Sequence, residues 1–263
     1  NAAITVAGSL SAAVVRLRSA APAGSAVQGL VGGVRRLVDA LVADLERLGV
    51  DVRLDAEVIG VHPAPVGPGF TVVTPREDVV ADAVVLAADG AAALDLLRDA
   101  APDVAGLPRP EPAVSRSVLL AVDDRRLDAM PRGSGVLRAP GRTDVLATAL
   151  THVTAKWEWA AAALPPGRHL LRLSYRGARV PTETRVAADA DALVGLVSST
   201  IVDRLDTVWV DTAPPLAAET RAAHQALSAA TLPDGLAVTG SWRTGTGLAS
   251  VVSGAGAAAR ALG

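Results

Sequence analysis

Two short strand-like runs far apart in the sequence constrain the fold most. Ala83-Val-Val-Leu-Ala87 is apolar throughout, and Leu236-Ala-Val-Thr239 nearly so; each runs through a turn into a helical pattern. A continuous apolar run of this length reads as a strand covered on both faces, the habit of strands inside α/β sheets. The stretch between them has a different character. Ser117–Val122, Gly135–Leu137, Val145–Val153 and His169–Tyr175 are strand candidates separated by Pro and Gly clusters, which predicts a mostly antiparallel sheet. The order predicts a sheet that the chain leaves and later rejoins.

The remaining pattern fills in the frame. Val34, Leu37, Val38, Leu41, Val42, Leu45 and Leu48 recur at helical spacing after Gly32-Gly33, and Gly49 is expected to stop that helix. Val50–Leu54, Glu57–His62 and Phe70–Thr74 read as strands, and Ala91–Leu97 begins a helix after Asp89-Gly90. Leu193, Leu196, Val197, Ile201 and Val202 predict a helix over about 189–205, and another is expected over about 217–230. Leu248, Val251, Val252, Ala255, Ala258, Ala259 and Leu262 form the apolar stripe of a last helix.

Composition removes several function classes. Lys and Arg number 25 against 27 Asp and Glu, which argues against nucleic acid or a polybasic membrane surface as the main partner. There is no cysteine, so disulfides, thiolate metal sites and cysteine nucleophiles are excluded; the absence is compatible with a reducing cytoplasm, the expected location. No apolar run reaches the ~18–20 residues of a membrane span. No basic segment precedes the opening Asn1–Val6, and Met130 is the only methionine, so the chain is expected to be the later part of a longer product.

Chemistry is sparse. In the strand–turn–helix at Leu236–Leu262, Gly245 and Gly247 allow a close backbone approach, and the helix start offers N–H groups to negative charge. Taken alone, such a turn is more often plain structural punctuation. It is not a dinucleotide fingerprint, because Ser250 stands at the third glycine position. His62, His152, His169 and His224 share no metal-ligand spacing, so no metal site is expected and each reads as a surface or satisfied structural histidine. There is no G-x-S-x-G elbow and no P-loop, and the acidic residues read as solvated faces. Lys156-Trp157-Glu158-Trp159 and Trp209 stand out in an aromatic-poor chain, with core packing the default reading.

In their order, these segments resemble a known family. Gly29–Leu41, then Gly49–Leu54 and Ala56–Val61, resembles the middle of the amine-oxidase and protoporphyrinogen-oxidase superfamily, where a "GG…L…AL" helix leads to a strand pair. Asp82–Gly90 is similar to its "D-A-V-V-L-A-x-P" strand end, with Asp89 where proline is usual. Thr151–Trp157 followed by Arg168–Ser174 looks like the "T…S-x-K-W…LLR" signature of the porphyrinogen oxidases. Gly240–Ala249 resembles the closing "G…G-V-G-(I/L)" motif. Of the family's "P-Q-Y-x-x-G-H", Pro214 is retained, but Pro215, Leu216, Glu219 and Thr220 replace other members of the motif.

The resemblance implies an α/β fold: part of a Rossmann-like, glutathione-reductase-type FAD-binding domain with an inserted mixed α/β substrate domain. The expected division is 1–100, part of the substrate-domain helix with FAD-domain strands; 101–205, the substrate domain; and 206–263, the return to the FAD domain. Carried over, the flavin contacts are Val58, Trp209, Thr246, Gly247 and Leu248. The implied activity is stepwise oxidation of coproporphyrinogen III or protoporphyrinogen IX to the porphyrin in haem biosynthesis, with hydride passing to the flavin and O2 as final acceptor. No catalytic base is assigned, and oligomeric state is left open. The family's G-x-G-x-x-G segment has no counterpart in this sequence, so these residues alone are expected to bind FAD weakly and to be inactive. The alternatives are another amine oxidase or desaturase, or a non-catalytic ligand-binding module.

Overall fold

The computed structural model describes residues 29–107, 113–177, 179, 181–195, 200–211, 230–245 and 247–263. The chain divides into two units, 1–52 and 53–263.

In the first unit the helix α1 (Arg35–Arg47) forms where the apolar period predicts it, and none of its residues is buried. Arg35–Asp39 and Asp44–Arg47 pairs brace its polar face. The strand expected over Val50–Leu54 does not form.

The second unit opens with three antiparallel strands, β1 (Gly60–Pro63), β2 (Phe70–Val73) and β3 (Asp78–Ala81), in the order β1-β2-β3. Next comes β4 (Val84–Leu86), followed by the helices α2 (Gly90–Leu96) and α3 (Pro102–Ala105). A long strand, β5 (Ala113–Asp123), leads through a 3-10 turn (Arg125–Ala129) to β6 (Gly135–Leu137) and β7 (Ala149–His152). Two short helices, α4 (Val153–Lys156) and α5 (Glu158–Ala162), precede β8 (Arg168–Arg176). The helix α6 (Glu183–Val194) and the strand β9 (Ile201–Asp211) come after it. The described chain closes with β10 (Leu236–Val238), α7 (Ser241–Thr244) and α8 (Leu248–Arg260).

β10 pairs in parallel with β4, Leu236 opposite Val84 and Val238 opposite Leu86. The two apolar runs do rejoin. Their core holds Val61, Phe70, Leu86, Leu94, Leu97, Leu236, Val238 and Trp242, so β1, β2, α2 and α7 all contribute.

The five-stranded sheet has the order β6-β7-β8-β5-β9, antiparallel throughout. Side chains alternate across a pleated strand, and this sheet buries one set only. On β5 the buried set is Arg116, Val118, Leu120 and Val122; on β8 it is His169, Leu171, Leu173 and Tyr175; on β7 it is Leu150 and His152. Val186 and Ala190 of α6 join the same core.

The helix expected over about 189–205 is a correction. Thr182 caps α6, its hydroxyl accepting from Arg185 N–H, and Gly195 ends it at φ 74°. Ile201–Asp211 is then a strand along β5. Ile201, Val202, Val208 and Val210 favour extended backbone, and pairing with an eleven-residue neighbour outweighs the apparent helical period. The strand expected over Val145–Val153 begins only at Ala149. The N–H groups of Leu146 and Ala147 instead donate to the carboxylate of Asp189, at 3.0 Å each. Asp189 is fully buried, against the expectation that acidic residues lie on solvated faces. The helix expected over about 217–230 falls outside the described residues except for Ala230.

Candidate functional site

The C-terminal ends of β4 and β10 lie side by side, and each runs straight into a helix. After β4, Asp89 caps α2: its Oδ1 accepts from the N–H groups of Ala91 and Ala92 at 3.0 Å each. A proline at this position would have no such acceptor, so the carboxylate organises this turn. After β10 the backbone turns at Gly240, whose φ is 144°. A side chain there would sit 2.8 Å from the Trp242 ring and 3.3 Å from the Ala88 carbonyl, so Gly240 is required by the fold. Trp242 is buried, and its indole N–H donates to Ala88 O at 3.0 Å. That bond ties the turn after β10 to the turn after β4.

Gly247 differs. Its φ is −73° and ψ 135°, ordinary extended backbone at the start of α8. Among the described residues, a Cβ there would meet only Ser250 Oγ, at 3.8 Å. The protein itself does not require glycine here, and the missing side chain leaves space at the head of the helix. Among the described residues no side chain caps α8, and no acidic residue occupies its first turn, so its first N–H groups suit an electron-rich ligand.

The candidate contacts are dispersed. Val58, half-buried just before β1, packs against the core that holds Leu86, Val238 and Trp242. Gly247 and Leu248 form the head of α8. Trp209 lies on the other sheet, on β9, opposite Ser115 and 57% exposed. Thr246 lies outside the described residues. A groove of about 810 Å³ runs along β10 and the C-terminal half of α8, lined in part by Thr239, Arg243, Thr244, Ala257 and Ala258. None of the four described candidates lines it. Arg243 donates to Val238 O in this groove, and burial lowers its pKa from the usual arginine range.

Sequence spacing did not reveal a buried polar chain in the five-stranded sheet. His169 Nε2 lies 2.9 Å from Asp128 Oδ1 and His169 Nδ1 lies 3.1 Å from His152 Nε2. An ionised Asp128 can only accept, so His169 carries its proton on Nε2. Nδ1 then accepts from His152 Nε2–H or from the Thr154 hydroxyl, 3.3 Å away. Burial, reinforced by His169, pushes the pKa of His152 down to about 4. These are satisfied structural histidines, as expected, but they act together. The signal was the β7–β8 pairing, not the sequence interval. His62 is paired with Asp99 at 2.9 Å, and His224 lies outside the described residues. Lys156 sits over the Trp157 ring, 5.2 Å from its centre. Among the described residues no three His, Cys, Asp or Glu side chains converge to hold a metal ion, and no helix is long and apolar enough to cross a membrane.

The sequence matches the flavin containing amine oxidoreductase family over residues 5–262. The chain belongs to that family. FAD is therefore its cofactor, and the mixed α/β architecture is that of its relatives. A protein from Exiguobacterium sp. 255-15, provisionally assigned as a protoporphyrinogen oxidase, shares the fold at a TM-score of 0.69 with 21% identity, over 97% of this chain and 55% of that one. Reduced UDP-galactopyranose mutase matches at 0.64 with 13% identity, over 88% and 52%. A cofactor-site double mutant of putrescine oxidase matches at 0.62 with 15% identity, over 88% and 53%. The flavin oxidoreductase chain thus spans about half the length of these relatives. No curated protein matches it.

Proposed function

We propose that the protein is part of a flavoenzyme that oxidises a porphyrinogen, coproporphyrinogen III or protoporphyrinogen IX, to the porphyrin with O2 as acceptor. One observation carries the reading. The two segments that resemble the porphyrinogen-oxidase signature, Thr151–Trp157 and Arg168–Ser174, meet in the fold: Thr151 and His152 end β7 before α4 begins, and Thr151 stands opposite Arg172 of β8. Their adjacency supports reading them together. The similarity to the Exiguobacterium protein points the same way.

In this reading the head of α8 would hold the edge of the cofactor ring that gains negative charge on reduction. Gly247 would leave it room, Leu248 would pack beside it, and the helix N–H groups would favour negative charge at its edge. Val58 and Trp209 would supply further contacts. The flavin supplies the two-electron acceptor, and the protein binds, orients and shields. Each turn removes two electrons and two protons from the macrocycle and delivers them to O2 as hydrogen peroxide. Haem biosynthesis in the cytoplasm is the setting this chemistry suggests.

The test is anaerobic flavin reduction in the intact gene product. A porphyrinogen should bleach the yellow protein, while putrescine and phytoene leave it unchanged. Bleaching by an amine alone would move the assignment to the amine oxidases, and a purified product without flavin would remove the enzymatic reading.

A further inference from the structure

Among the described residues, one face of the five-stranded sheet has no buried side chain on its two long central strands, β5 and β8. Along β5 and β8 one alternate set of side chains is buried or half-buried, and the other is half-buried or exposed, without a single buried member. Leu205, Thr207 and Trp209 of β9 extend this second set. It forms rows across the strands. Arg176, Ser115 and Trp209 stand in one row; Ser174, Ser117 and Thr207 in the next; Arg172, Leu119 and Leu205 in the third. Residues directly opposite in an antiparallel sheet share a face, so these side chains form one surface.

The charges on it are uneven. Arg168 pairs with Asp123 through two hydrogen bonds, at 2.7 and 2.8 Å. On the opposite face Arg204 and Arg116 meet Asp206. Arg172 and Arg176 are both exposed, and among the described residues neither has an ion-pair partner. Four residues apart on one strand, they stand roughly 13 Å from each other. Between them lies a floor of small hydroxyl-bearing side chains flanked by Leu119. Trp209 is two strands from Arg176, roughly 10 Å away. A broad and partly apolar sheet face, with two guanidiniums at its margin that have no ion-pair partner among the described residues, complements a wide amphipathic ligand bearing several carboxylates.

We propose that Arg172 and Arg176 bind carboxylates of an acidic macrocyclic substrate lying on this face. The assignment rests on the porphyrinogen reading and deepens it. Trp209, the candidate flavin contact, shares a row with Arg176, so a ligand held there lies beside the residue expected to meet the cofactor. A cationic amine would be repelled by the same two groups. Both arginines are exposed, so replacing them leaves the core intact.

The experiment uses the flavin-loaded intact gene product and compares coproporphyrinogen III with its tetramethyl ester, which has the same ring and no free carboxylates. Arg172→Gln and Arg176→Gln should each raise KM for the acid about tenfold, with kcat nearly unchanged, as the loss of one charge-assisted contact implies. Arg→Lys at either position should recover part of that loss. For the ester, wild type and variants should have the same KM. If the wild-type flavin is reduced by the acid but the double Gln variant keeps its KM, the arginines are not anchors, while the functional reading stands. If KM rises equally for acid and ester, the effect is structural and the assignment also falls. If no porphyrinogen reduces the wild-type flavin, the functional reading and this assignment fall together.

Discussion

In the parallel pair each strand contributes three residues, whereas β5 and β9 of the five-stranded sheet contribute eleven each. The pair draws its core from far along the sequence: Val61 and Phe70 before it, Leu94 and Leu97 between its strands, and Trp242 after it. The five-stranded sheet builds its core from its own alternate residues, the helix α6, and Leu127, Val145 and Ala147 from the connections between β5 and β7. Parallel strands are normally covered on both faces, and two short ones alone bury too little to persist. A long antiparallel sheet can commit one face to the core and leave the other to water. The difference decides where each region can meet a ligand: at the strand ends in the first, across the open face in the second.

Trp242→Ala should break this comparison most forcefully. The indole is 2% exposed and is the bond between the two strand-end turns. Removing it should cost about 3–5 kcal/mol, from the cavity and the orphaned Ala88 carbonyl together. The loss should be regional. Hydrogen exchange should show β4, β10 and α8 losing protection while β5 and β8 keep theirs. Equal loss in both regions would show that they unfold as one and that the contrast between them is only geometric.

The two regions also differed in how far their sequences could be read. β4, β10 and α8 were legible because each is a local pattern: a short apolar run, a glycine turn, a helical stripe. β5 and β8 were legible for the same reason. β9 was not, because Leu193, Leu196, Val197 and Ile201 continue a helical spacing across Gly195, and only pairing with β5 resolves the ambiguity. At the candidate site, Gly247 could be found but not its freedom from backbone constraint, and Gly240 and Trp242 gave no sign of their mutual dependence. The chain Asp128–His169–His152 was invisible because its members lie on a turn and two strands that only the sheet brings together.

That chain gives the sheet a pH dependence that the parallel pair should lack. His152 has a folded pKa of about 4 against an ordinary value of 6.5. Below pH 6.5 the unfolded chain binds the proton first, so stability is complete above that value and falls as the pH drops to about 4. Below that it falls no further on this account. The loss should approach about 3 kcal/mol at most. Denaturant unfolding at stepped pH measures it. His152→Phe, which cannot titrate, should flatten the slope in this window, and an unchanged slope would assign the pH dependence to other groups.

Gly247→Val should perturb stability least and sharpens the comparison furthest. If the head of α8 were ordered only for its own packing, valine should be tolerated there in every respect. The backbone is already at φ −73°, and among the described residues a Cβ finds no neighbour closer than 3.8 Å. The cost should be at most about 1 kcal/mol, from a less favourable helix-capping residue. Gly240→Val provides the contrast, since φ 144° and the Trp242 ring leave that side chain no room. In the intact gene product the two variants should therefore fail differently. Gly240→Val should lower both the unfolding midpoint and the flavin content. Gly247→Val should keep its circular dichroism and midpoint but lose flavin severalfold, because the β-branched side chain fills space that the cofactor needs. Full flavin content in a folded Gly247→Val protein would mean that the cofactor does not approach this turn, and the assignment of Gly247 and Leu248 as contacts would fail with it.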